Sequence, residues 1–175
     1  MKIDVSRILT DHLDTLRDVR SGKRSSVDLA LFYLLPMAFG SIMYWRHLSL
    51  SNDVYNVSIT FFGIFIALLL NIQVAVFGIF QRKWPKLGDD RLAEIQEETL
   101  SVRKQLLSEM NINISYLILI SCFALVIFLL LFVIESRDSL SSSVTVFIYT
   151  HFLLTLLMVV KRSHALFQLE YKCDS

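Results

Sequence analysis

Few residues in this chain can do chemistry: His12, His47, His151 and His164, Cys122 and Cys173, the carboxamides Asn71 and Gln73, and Asp28 beside an apolar stretch. Metal ligation needs several such groups to converge, and nucleophilic catalysis needs a nucleophile within reach of its base. The sequence has no metal-spaced His/Cys cluster, no phosphate-cradling glycine loop and no Gly-x-Ser-x-Gly elbow. Its polar parts amount to a few short helices, too small for an independent catalytic domain. The expectation is a protein that is not an enzyme, with no cofactor and no metal.

The chemistry left is hydrogen bonding inside an apolar medium. Of 175 residues, 54% are hydrophobic, mean hydropathy is +0.56, and only five glycines and two prolines interrupt the chain. Residues 29–45, 54–80, 111–134 and 139–160 contain no Asp, Glu, Lys or Arg. Each is close to or above the roughly 17 to 25 residues that a helix needs to cross a bilayer. The sequence therefore predicts an all-α integral membrane protein with four transmembrane helices, at 25–46, 54–80, 112–134 and 143–161. A cytoplasmic amphipathic helix (1–24), a cytoplasmic loop and helix (81–111) and a cytoplasmic tail (162–175) complete it. The first apolar run follows a long charged segment and lacks a small-x-small cleavage site, so it is expected to stay in the mature chain.

Basic residues set the expected orientation. Six precede the first span, six lie between the second and third, three follow the fourth, and only Arg46 and Arg137 fall on the other side. Lys and Arg in short loops stay cytoplasmic, so both termini and the central loop are expected there, in a bacterial inner membrane. The same asymmetry explains the basic residues without nucleic acid, and no direct nucleic-acid binding is expected. Cys122 in the third span and Cys173 in the tail are expected to be free thiols.

Within residues 1–20, Val5, Ile8, Leu9, His12, Leu13 and Leu16 recur at helical spacing with charge around the other side, an amphipathic helix suited to protein contact. Gly22 can end it, and Ser25 with Asp28 has capping-box spacing for the first span. Asp28 there complements the helix dipole, rather than marking an ion path. Pro36 removes one backbone bond and bends that span, and Tyr44 and Trp45 anchor its outer end. After "RKWPKLGDD", with Trp84 at headgroup depth and Asp89 or Asp90 starting a helix, Leu92, Ile95, Thr99, Val102 and Leu106 follow the three-four spacing of a coiled-coil seam. Leu92, Ile95, Val102 and Leu106 are the expected face for a cytoplasmic partner. One helix over 89–134 would be roughly 69 Å long, so its first half projects from the membrane.

The carboxamides sit in "LLLNIQVAVFGIF" of the second span. Gly63, Ala67, Asn71 and Ala75 are four apart and share one ridge. In lipid, helices associate where small residues allow close approach and amides bond across the gap, so this ridge is the expected packing or oligomer interface. The partner of Asn71 is Ser121, Thr150, His151 or Thr155 of the same chain, or Asn71 of a second copy. Gln73 and His151 are candidates for a polar lining, with a hydrogen-bonded structural role the simpler reading of His151.

The stretches "DHLDTLRDVRSGKRSSVDLALFYLLPMAFG" (11–40) and "FFGIFIALLLNIQVAVFGIFQRK" (61–83) resemble a family of small bacterial multi-span membrane proteins of antiphage defence operons, among them transmembrane effectors of retron systems. The resemblance covers about the first half of the chain. It implies a homo-oligomeric effector that permeabilises or depolarises the inner membrane when a cytoplasmic protein encoded nearby releases it. A scaffold or sensor that recruits a defence protein, or a small channel or transporter, are the other expectations.

Overall fold

The computed structural model describes residues 5–16, 29–81 and 90–173, apart from the side chains of residues 90–96, 98, 170, 172 and 173. Five α-helices are described: α1 (Val5–Asp14), α2 (Leu35–Trp45), α3 (Asn52–Phe80), α4 (Asp90–Val133) and α5 (Ser139–Cys173), with a π-helical turn, Ala30–Leu34, leading into α2. No strand occurs among the described residues. Gly22, Ser25, Asp28, Trp84 and Asp89 lie outside them.

Three helices are long and apolar enough to cross a membrane: α3, α4 from Thr99 and α5 to Leu169. The fourth apolar segment, Ala30–Trp45, is a shorter helix. As its length and composition require, α4 is continuous over 44 residues. The expected tail is likewise helical, because α5 continues through Cys173.

The helices pack in the order α3 on α4, α4 on α5 and α5 on α2, with α1 laid against α4. Between α3, α4 and α5 sits an aromatic core in which Phe62, Phe128 and Phe152 are fully buried. The Phe62 ring stacks on Phe128 at 5.5 Å and meets the edge of Phe152 at 5.2 Å. Such pairs add about 0.5–1.5 kcal/mol beyond their buried area, and large rings bridge the wider gap between α3 and α5. Across the same gap the Tyr149 hydroxyl donates to Ser58 Oγ at 2.9 Å.

The end opposite α1 is closed by caps. His47 and Glu135 take left-handed backbone (φ 51° and 53°) just beyond α2 and α4, and the Leu48 and Ser136 amides reach back to Met43 and Leu131 carbonyls. These are Schellman stops made without glycine. Asp138 accepts hydrogen bonds from Ser136 and Ser141 at the start of α5, which holds its carboxyl below the usual range.

The contact of α2 with α5 depends on Gly40, whose carbonyl accepts from Ser143 Oγ at 2.7 Å. A Cβ placed on Gly40 would stand 3.1 Å from the Ser143 carbonyl oxygen. Gly40→Leu is expected to force α2 off α5 and destabilise the fold by about 1–3 kcal/mol, read as a lower midpoint in SDS titration of detergent-solubilised protein.

Candidate functional site

A polar cluster joins α1 to the bundle. Burial is deepest at His12 on α1 (0% exposed) and at Leu16 in the turn just beyond it (3%), while Val5 and Leu9 face outward. A single edge of this short helix therefore meets α4.

Its partner is Asn113, fully buried on α4. The Asn113 amide nitrogen donates to the Glu109 carbonyl at 2.7 Å, which turns its oxygen toward α1. That oxygen accepts from His12 Nδ1 at 2.8 Å and from Thr15 Oγ1 at 3.1 Å. The His12 ring lies flat on Tyr116, centroids 3.6 Å apart and planes within 7°. From α5, Arg162 donates to the Thr15 carbonyl at 2.8 Å and pairs with Glu109 at 3.2 Å. A cation bonded to a terminal carbonyl satisfies the end of α1 and complements its dipole.

With Nδ1 carrying the proton, His12 Nε2 is left as a buried acceptor with no hydrogen-bond partner among the described residues. Burial lowers the pKa of this ring from 6.5 to about 4. The bond to Asn113 opposes that shift, and the nearby Arg162 adds to it. The docked ring is therefore neutral at neutral pH.

Beneath this cluster the Tyr116 hydroxyl donates to His151 Nε2 at 2.8 Å, and His151 Nδ1 donates to the Phe32 carbonyl at 2.9 Å. The direction follows from the carbonyl, which can only accept, so Nδ1 must hold the proton. Phe32 is four residues before Pro36, which has no N–H, so its carbonyl has lost its helical donor. Phe32 lies within the π turn at Ala30–Leu34, where its carbonyl meets the imidazole. The histidine on α5 thus substitutes for the missing amide, and it ties the proline-broken segment to the bundle.

Gln73 donates to Asn111 at 3.2 Å and to Ser115 at 3.0 Å, holding α3 against α4. Gly63 is half-buried near Leu125, whereas Ala67, Asn71 and Ala75 are exposed on the outer face of α3. The structure therefore does not bring Asn71 together with Ser121, Thr150, His151 or Thr155. Those hydroxyls bond to carbonyls one turn back in their own helices, Ser121 to Leu117, Thr150 to Val146 and Thr155 to His151.

On α4 the stripe packed within the chain runs through Arg103, Leu107, Met110, Ile114 and Leu117. It lies one position along from the seam read in the sequence. Arg103 reaches the Ile79 carbonyl at the end of α3 at 2.8 Å. Val102 is exposed, Leu106 is half-buried, and the Leu92 and Ile95 side chains lie outside the described residues. Cys122 is exposed and free.

The docking role of His12 is visible in the sequence only as a histidine on the apolar face of an amphipathic helix. Asn113 and Tyr116 gave no signal there, because a three-residue polar interruption near a span's end also suits the interface. Among the described residues no group of three His, Cys, Asp or Glu side chains could hold a metal ion. No family model matches the chain, and neither a curated protein nor a solved structure matches it.

Proposed function

We propose that this chain is a non-enzymatic inner-membrane effector of a bacterial antiphage defence system, released by a cytoplasmic partner to oligomerise and permeabilise or depolarise the membrane. The observation that carries the reading is the docking of α1, an amphipathic helix held by one fully buried neutral histidine. A helix of ten residues is marginal alone, so its position depends on that contact and a partner that competes for it can displace it.

In this reading Ala30–Trp45 is a fourth span. What supports this is its packing along α5 from Phe32 to Gly40, with Tyr44 and Trp45 exposed at its end. The distribution of Lys and Arg supports cytoplasmic termini. The exposed ridge of Ala67, Asn71 and Ala75, with Gly63, supplies the contact between copies. Asn71→Leu is expected to lower oligomer size in detergent, measured by light scattering; unchanged size would remove α3 as the interface.

A second reading is a membrane scaffold or sensor that recruits a cytoplasmic defence protein. The exposed Val102 on the α4 extension favours it. His12→Lys expressed without the neighbouring genes separates the two: with α1 undocked an effector depolarises cells and stops growth, whereas a scaffold is harmless.

A further inference from the structure

We propose that the cavity between α1, the π turn and α5 is a binding site for one anionic glycerophospholipid, drawn from the leaflet at the α1 end of the bundle. The cavity holds about 450 Å³, within the roughly 300–1,000 Å³ of ligand sites. Most of its wall is apolar, with Leu31, Phe32, Leu154, Leu157 and Met158 along one stretch and Leu16, Leu106 and Ala165 at the α1 end. Thr15, Lys161 and Arg162 line it as well.

The two chemistries are ordered along α5. From Leu154 to Arg162 the helix rises about 12 Å, so the wall changes from apolar to cationic over two turns toward the α1 end. An acyl chain fits the deep part and a phosphate the shallow part. Basic pockets between membrane helices select anionic head groups in this way. Lys161 is exposed at the rim. Arg162 adds a second cation beside it, bonded to the Thr15 carbonyl and paired with Glu109. Because Glu109 offsets part of that charge, Lys161 carries most of the selectivity for an anion.

The occupant is a lipid and not a soluble anion because eight of the eleven lining side chains are apolar and offer water or free phosphate no partner. This site stands apart from the defence reading and survives if that reading fails. It nevertheless adjoins the docking cluster, since Thr15 and Arg162 belong to both.

The test uses the full chain purified in detergent, with phosphatidylglycerol or phosphatidylcholine added and retained lipid counted by native mass spectrometry. One phosphatidylglycerol should be retained per chain, with phosphatidylcholine at least tenfold weaker. Lys161→Gln should cut phosphatidylglycerol retention about tenfold, and Met158→Trp should abolish it by filling the cavity. Lys104→Gln, exposed elsewhere on α4, should change nothing. Lys161 is exposed, so its variant keeps the test valid if Met158→Trp misfolds. Equal retention of the two lipids, no retention, unchanged retention in Lys161→Gln, or displacement by millimolar inorganic phosphate would each overturn the proposal.

Discussion

Lowering the pH from 7 to 5 is expected to weaken the docking of α1 about twentyfold, because His12 must stay neutral to remain in its site. The docked ring titrates at about 4 and the undocked ring at 6.5. Well above pH 6.5 neither form is charged, and docking has its full strength. As the pH falls between these values the undocked helix takes up a proton that the docked helix refuses, at a cost of about 1.4 kcal/mol per pH unit. Below about 4 both are protonated and the loss stops growing. The cation facing the ring is Arg162 on α5; Glu109 on α4 is paired with it, and His151 lies below Tyr116.

Hydrogen exchange of the α1 amides across this range reads the effect. His12→Lys should undock the helix at every pH, since an ammonium cannot take the place of a neutral ring stacked on Tyr116 and stands beside the Arg162 cation. His12→Phe keeps the stack on Tyr116 and removes the titration, so its exchange should be flat with pH. A pH profile for His12→Phe equal to that of the parent would assign the titration to another group. If the protein is an effector held in check by α1, His12→Lys should also depolarise cells in the absence of its partner.

The second large effect lies at His151. Replacing it by Leu leaves the Phe32 carbonyl and the Tyr116 hydroxyl buried without their partner, and should cost about 2 kcal/mol in SDS titration. That figure exceeds the average of about 0.6 kcal/mol for hydrogen bonds between membrane helices, because two groups lose their partner at once and one is a proline-freed carbonyl. Pro36→Ala restores an amide that can take the Phe32 carbonyl within its own helix. In that background His151→Leu should cost about half as much. Strictly additive costs in the double-mutant cycle would mean that the imidazole does not substitute for the proline's missing donor.

The two sites also show what a sequence can carry. Helix type and extent were legible because apolar runs of this length without charges have few other solutions. The continuity of α4 from Asp90 to Val133 follows from the absence of any Gly or Pro within it. The amphipathic character of α1 was legible from its spacing, with His12 among its apolar positions. The packed stripe of α4 was not: the spacing pointed to 92–95–99–102–106, whereas the row packed within the chain contains Arg103, which reaches the Ile79 carbonyl at the end of α3.

The amino-acid sequence by itself determined that this is an all-helical chain with apolar helices suited to a membrane, since hydropathy and length are local and need no partner. Only the tertiary structure decided which polar residues meet. It paired Gln73 with α4, left Asn71 on the outside, set His12 on Asn113 and Tyr116, and gave the Phe32 carbonyl to His151. The reason is physical. A buried polar group must be satisfied wherever it comes to rest, but its partner lies as much as 119 positions away in the chain and is set by the rotation of one helix against another, which no local pattern encodes.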